Sequence, residues 1–223
     1  MRRQADVDLY KLYVILSNDM VGIERPTVLV DMDGVLADFD GEVLARLNDR
    51  YGDSIQPLEL DPPAFYTAEN FRAEDQAQVW GISNEPRFVA ELPLVENALD
   101  GWERILEAGF TPQICSKPIP KEFYPTCEAE KREWLEEHVV PRFGMWVVDT
   151  AIFTTDKTLC PGAVLIDDNP PHLIKNAARA SWKQVVFHRP CNDTPDSKSF
   201  VRLNGWNDPL LSEKLREAAG SRA

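Results

Sequence analysis

Two carboxylates, Asp31 and Asp33, stand one residue apart at the end of the apolar run Thr27-Val28-Leu29-Val30, and Gly34 follows at once. Such a run reads as a buried strand that stops where polar chemistry begins. Carboxylates this close raise each other's pKa by like-charge repulsion. A divalent cation such as Mg²⁺ relieves that penalty, because hard cations are held by a few carboxylates together with substrate phosphate oxygens. An aspartate can also attack phosphorus and carry the phosphoryl group as an aspartyl-phosphate. A plain polar turn is the ordinary alternative, since Asp and Gly favour turns. The other strand ends argue against it.

A second apolar segment, 110–115, runs into Ser116-Lys117-Pro118. A third, 146–153, precedes Thr154-Thr155-Asp156-Lys157. A fourth, Ala163-Val164-Leu165-Ile166, runs into Asp167-Asp168-Asn169-Pro170. Singly, Lys157 reads as a solvated cation, Ser116 as a turn residue, and the acidic pair as a helix cap with Pro170 in the first turn. In an open parallel α/β sheet, however, the ligand crevice lies outside the carboxyl ends of the strands, so topology collects all four endings at one edge. There Asp31 can hold a metal and attack phosphorus. Asp33, turned at Gly34, can act as general acid and then base. Ser116, Lys117 and Lys157 can bind phosphoryl oxygens, with Lys as a point charge, and one of Asp167 and Asp168 completes a metal shell.

These residues need a scaffold of alternating strands and helices. Val43, Leu44, Leu47 and Tyr51 recur at helical spacing up to Gly52. Leu99, Trp102, Ile105 and Leu106 repeat the pattern up to Gly109. Helices are also expected over 126–139, with Trp134, Leu135 and Val139 on one face and charges opposite, over 171–180, and near 209–219. A last strand is expected at Gln184-Val185-Val186-Phe187. The predicted class is α/β: a Rossmann-like parallel sheet with helices on both faces plus a small helical cap. Residues 26–40 and 94–190 form the core. Residues 41–93, rich in proline and aromatics, form the cap, between an N-terminal extension (1–25) and a C-terminal tail (191–223). Phe39, Phe65 and Tyr66 are the candidate substrate-binding rings, because stacking surfaces near one mouth suit a nucleobase.

Composition narrows the partners. With 223 residues, 43% hydrophobic and 27% charged, the chain can bury a full core. A formal charge of −13 argues against a nucleic-acid polymer but allows a small phosphate ester, since a metal and a few cations reverse the sign within one pocket. No apolar run approaches the 18 or so residues of a membrane span. Residues 1–25 lack the unbroken apolar stretch of a signal peptide. The four cysteines show no CxxC pairing, so reduced thiols and a cytoplasmic location are expected. A homodimer is compatible with the composition.

The order DxDG, then Ser, then Lys, then an acidic pair resembles the haloacid-dehalogenase-like superfamily of phosphotransferases. Asp31-Met32-Asp33-Gly34-Val35-Leu36-Ala37-Asp38-Phe39, Thr155-Asp156-Lys157-Thr158 and Leu165-Ile166-Asp167-Asp168 resemble its 5′(3′)-deoxyribonucleotidase branch, over roughly residues 27–190. The resemblance implies a nucleophile at Asp31, an acid/base at Asp33, and phosphate contacts from Ser116 and Lys157. It implies Mg²⁺ held by the Asp31 carboxylate, the Asp33 backbone carbonyl and Asp168, with Asp167 behind them, and a cap closing over a nucleotide. Lys117 departs from the family's Thr-Ser-Pro and sets a second cation beside the phosphate position. The competing readings are the same chemistry on another small phosphate, such as a sugar phosphate, and a non-catalytic phosphate-binding protein on the same fold.

Overall fold

The computed structural model describes residues 25–193 and 200–220. Six strands form one sheet: β1 (Thr27–Val30), β2 (Thr111–Ser116), β3 (Ile152–Phe153), β4 (Val164–Asp167), β5 (Lys183–Phe187) and β6 (Val201–Leu203). Their order is β3-β2-β1-β4-β5-β6, and every pairing is parallel. β1 therefore lies at the middle, with Val30 level with Ile114 on one side and Ile166 on the other. Central parallel strands are buried on both faces, which is why β1 reads as a continuous apolar run.

Alternation along β1 divides the core. Val28 and Val30 join Ile114, Val164 and Ile166 in a large cluster with Trp102, Trp134, Leu135 and Trp206. Leu29 faces the other way and packs with Cys115, Leu165, Cys160 and Trp182. The helices are α1 (Phe39–Tyr51), α2 (Gln76–Ser83), α3 (Ala98–Glu107), α4 (Cys127–His138), the single turns α5 (Val140–Phe143) and α6 (Trp146–Asp149), and α7 (Leu211–Ala218). α3 ends before Gly109, whose φ of +90° suits glycine. Gly101 on α3 admits the Trp206 ring, since a Cβ there would lie 2.1 Å from Trp206 Cε3.

Residues 39–92 run as α1, two 3₁₀ turns (Gly52–Ser54 and Thr67–Asn70) and α2, with loops between them. The excursion is pinned where it starts and ends. The Asp38 amide donates to Pro93 O (2.8 Å) and the Val95 amide to Leu36 O (2.8 Å).

Three sequence expectations are corrected. The run 146–153 is not one strand: Trp146–Asp149 is helical and only Ile152–Phe153 pairs with β2. An apolar run of that length fits either state, and Val147 and Val148 are buried from a helical turn. Residues 171–180 form two 3₁₀ turns, Pro171–Leu173 and Ala177–Arg179, with Asn176 at φ +61° interrupting any continuous helix. The region read as a tail after residue 190 carries, besides the helix expected near 209–219 (α7), a strand β6 and buried Trp206, whose indole N–H donates to Val35 O (2.7 Å). Its polar sequence hides a short edge strand, but the core extends through it. The expected extension over residues 1–24 lies outside the described residues.

Candidate active site

The ends of β1, β2 and β4 and the turn after β3 converge on one cavity of about 1020 Å³, lined among others by Asp31, Asp33, Lys117, Lys157, Asp167 and Asp168. Asp31 is held at its floor by the sheet itself, because its amide still donates to Ile166 O of β4 (3.0 Å). The chain then turns sharply, with the amides of Leu36 and Ala37 donating to Met32 O (2.8 and 2.9 Å). Gly34 has φ +72°, and a Cβ there would lie 2.1 Å from Asp168 Oδ2. Only glycine lets the turn lie against that carboxylate.

Two lysines offset part of the cluster's charge. Lys157 opens a 3₁₀ turn capped by Asp156, whose carboxylate accepts from the Thr158 amide (3.1 Å). Its Nζ lies 2.6 Å from Asp31 Oδ2 and 2.7 Å from Asp167 Oδ2. Burial would lower the Lys157 pKa, but the Asp167 and Asp31 carboxylates outweigh it and raise it, so the ammonium stays charged. The second lysine is Lys131 of α4, fully buried, with Nζ 2.6 Å from Asp33 Oδ1 and 3.2 Å from Ser116 Oγ. Burial raises the Asp33 pKa, Lys131 opposes that rise and Asp31 adds to it.

The acidic pair is asymmetric. Asp167 accepts from Lys157 through Oδ2 and from the Asn169 amide through Oδ1 (2.8 Å). Among the described residues no donor reaches the Asp168 carboxylate, which is buried; burial, then Asp167 and Asp31, push its pKa well up. Ligand atoms of Asp31, Asp167 and Asp168 lie within 4.8 Å of one another. A buried carboxylate without a donor, beside two more, has the oxygen chemistry that a hard divalent cation requires, so the donor set fits Mg²⁺.

The segment between β1 and β2 supplies the opposite wall. Phe39, Phe65, Tyr66 and Trp80 all line the cavity. Phe39 packs edge-on to Phe88 (centroids 5.2 Å), Phe65 edge-on to Tyr66 (5.3 Å), and Tyr66 lies 6.5 Å from Trp80. Lys117 is exposed on the rim. Ser116 is buried behind the lining, with its hydroxyl on Lys131 rather than on the cavity surface.

Sequence reasoning missed Lys131, Trp80 and Asn192. Lys131 lies three and four residues before Trp134 and Leu135, on the apolar face of α4 and not on the charged one. A lysine at that register is the signal that was available. Asn192 follows β5 in the supposed tail; fully buried, it donates to the carbonyls of Asp168 and Phe187 (2.8 Å each) and so fixes the backbone of the acidic pair.

The family model described as 5′ nucleotidase, deoxy (Pyrimidine), cytosolic type C protein matches residues 25–215. The chain belongs to this family. Among deoxyribonucleotidase relatives, the human 5′(3′)-deoxyribonucleotidase, cytosolic type, is 34% identical, covering 81% of this chain and 89% of its own length. The mouse mitochondrial 5′(3′)-deoxyribonucleotidase is 30% identical over 85% and 87%, and the 5′(3′)-deoxyribonucleotidase of Clostridium acetobutylicum 28% over 87% and 99%. Membership in the deoxyribonucleotidase family makes this chain a phosphatase-type hydrolase. Among the described residues, no helix is long and apolar enough to cross a membrane.

Proposed function

We propose that the protein is a Mg²⁺-dependent phosphomonoesterase that hydrolyses deoxynucleoside monophosphates through an aspartyl-phosphate on Asp31, in the cytoplasm. One observation carries the reading: two carboxylates one residue apart, Asp33 paired to buried Lys131 and Asp31 to Lys157, share a cavity with the rings of Phe39, Phe65, Tyr66 and Trp80. A sugar phosphate would call for a mostly polar wall instead.

The chain's own groups divide the work. Asp31 Oδ1 accepts from the Met32 amide (2.8 Å) and Oδ2 from Lys157, which fixes the carboxylate for attack. Lys157, with Lys117 at the rim, supplies positive charge and donors for the phosphoryl oxygens, while the Ser116 hydroxyl, behind the lining, accepts from Lys131 and steadies that lysine. Asp33, its pKa raised, gives its proton to the leaving oxygen. It then takes a proton from the water that attacks the phosphorus of the Asp31 acyl phosphate, releasing phosphate and returning both carboxylates to their starting states. Lys131 holds Asp33 in place between these steps. Asp31, Asp168 and the Asp33 carbonyl would hold Mg²⁺, with Asp167 kept behind them by Lys157. When bound, the ion supplies charge that offsets the phosphate dianion.

Phe65 and Tyr66, with Phe39 and Trp80, would stack the base. The test is a panel of deoxynucleotides, ribonucleotides and sugar phosphates assayed with Mg²⁺. Deoxynucleoside monophosphates should give the highest kcat/KM. A sugar phosphate exceeding every nucleotide would refute the substrate assignment and leave the phosphatase chemistry standing.

A further inference from the structure

The cap is tied to the core unevenly. On the α4 side the ties are many: the Tyr124 hydroxyl donates to Glu85 O (2.7 Å), Glu130 accepts from the Arg87 amide (3.1 Å), and the Trp134 indole donates to Leu92 O (2.7 Å). On the opposite side, toward the segment after β5, the cap loop stands away from the core. A cleft of about 430 Å³ separates Pro57, Leu58, Leu60 and Pro63 from Pro190 and Cys191. Among the described residues, the polar link across that side runs through one carboxylate, that of Asp40 in the first turn of α1.

Asp40 is used at both oxygens. Oδ2 accepts from Arg189 Nη2 (3.1 Å), and Oδ1 accepts from the Thr67 hydroxyl. Arg189 is itself anchored on the core: Nη1 lies 3.5 Å from Gly34 O and 3.6 Å from Asp38 Oδ1, and its backbone amide donates to buried Asn192 (3.1 Å). Thr67 directly follows Phe65 and Tyr66, the rings of the cavity wall. We infer that Asp40 is a positioning residue, a latch joining core Arg189 to cap Thr67, which holds the 65–67 segment and its aromatic wall over the catalytic cavity. Without the latch the apolar cleft beneath the loop leaves room for the wall to shift. A misplaced wall weakens capture of a substrate that stacks on it, while a small ester needing only Asp31 and its neighbours is unaffected.

The inference rests on the nucleotide reading in its kinetic arm alone. Thr67→Val removes the hydroxyl and keeps the shape, and Thr67→Ser restores the donor. Hydrogen bonds to charged groups are the stronger ones, so Thr67→Val should raise KM for a deoxynucleoside monophosphate about tenfold, with kcat within about threefold. Hydrolysis of p-nitrophenyl phosphate should stay within about twofold of the parent. Thr67→Ser should return KM to the parental value. Asp40→Asn combined with Thr67→Val should cost less than the two single effects added together, because the Thr67 link is common to both. The second arm needs no substrate: amide hydrogen exchange over 64–71 should speed up about tenfold in Thr67→Val and return to normal in Thr67→Ser. Equal loss on both substrates, failure of serine to restore, or unchanged exchange over 64–71 would each overturn the latch. A parent enzyme inactive on every nucleotide refutes the proposed substrate instead, and the exchange result then decides the latch alone.

Discussion

Replacing Lys131 with Met tests the link between α4 and Asp33. The thioether keeps most of the aliphatic stem in a fully buried slot but removes the ammonium 2.6 Å from Asp33 Oδ1. Breaking a fully buried ion pair costs about 3–5 kcal/mol. The Asp33 side chain keeps 27% of its exposure, so solvent screens part of the loss and about 2 kcal/mol is the better figure at neutral pH. The sign follows from the pH dependence. Asp33 already has a folded pKa above its free value, so its contribution to stability is present at acid pH and lost as pH rises through that folded value. Removing Lys131 takes away the main influence holding that pKa down. The parent-minus-variant stability difference should therefore be small, or favour the variant, at acid pH, and grow toward neutrality. Denaturant unfolding at several pH values measures it. In the same variant the alkaline limb of the pH–rate profile should move to higher pH, because Asp33 must hold its proton to protonate the leaving oxygen and losing Lys131 raises its pKa. Turnover near neutrality should fall by on the order of 10²-fold, the low end of what a positioned acid or base supplies. Superimposable pH–rate profiles together with a pH-independent stability difference would refute the pairing.

Asp31→Asn should abolish turnover with the fold retained, checked by phosphate release alongside circular dichroism; activity within tenfold of the parent would remove Asp31 from the nucleophile's place. Gly34→Ala should lower activity severely, because its Cβ would sit 2.1 Å from Asp168 Oδ2 at a φ of +72°; steady-state kinetics read the loss, and a parental rate would mean the turn relaxes freely. Exhaustive chelation should stop hydrolysis and added Mg²⁺ should restore it, whereas full activity after chelation would exclude a metal-dependent attack by Asp31. Phe65→Ala should weaken deoxynucleotide binding about tenfold or more, since stacking on a base contributes about 1–3 kcal/mol, and change aryl phosphate hydrolysis much less.

Much of the site was legible because the chemistry sits where the apolar runs stop. The ends of β1 and β4 combine a β-branched run with an abrupt acidic pair, and parallel topology alone brings Asp31, Asp33, Asp167 and Asp168 together. What escaped depended on tertiary environment. Lys131 is a charge on a charge-rich helix, and only its register with Trp134 and Leu135 marks it as buried. The 146–153 run is equally apolar as helix or strand; packing beside Trp102, 6.2 Å from Trp146, accompanies the helical choice. β6 has three residues in a polar context, and its place is set by pairing with Val185, Val186 and Phe187 rather than by its own pattern. The Thr67–Asp40–Arg189 chain joins residues up to 149 positions apart and leaves no local periodicity at all.

The charge balance of the site explains why so acidic a chain can take an anionic substrate. Four carboxylates, those of Asp31, Asp33, Asp167 and Asp168, face two ammonium groups, those of buried Lys131 and of half-buried Lys157. With every acid ionised the cluster is two charges negative before a phosphate dianion brings two more. Two responses are open to it. A proton can settle on the carboxylate with the least support, and Asp168, buried beside Asp167 and Asp31 with no donor among the described residues, is the one whose pKa is pushed well up. Alternatively a divalent cation can take the proton's place, and metal affinity then rises with pH as that carboxylate gives up its proton. With an ion held there, substrate and cation would depend on each other: the carboxylates would bind the ion, and its charge would offset that of the phosphate near Asp31. Lys157, shared between Asp31 and Asp167, and Lys131, held on Asp33, keep the remaining acids in place without competing for Asp168. The −13 charge of the whole chain is thus compatible with phosphate chemistry, because the sign that matters is set within one cavity, by two lysines and by any cation that the Asp168 carboxylate would hold.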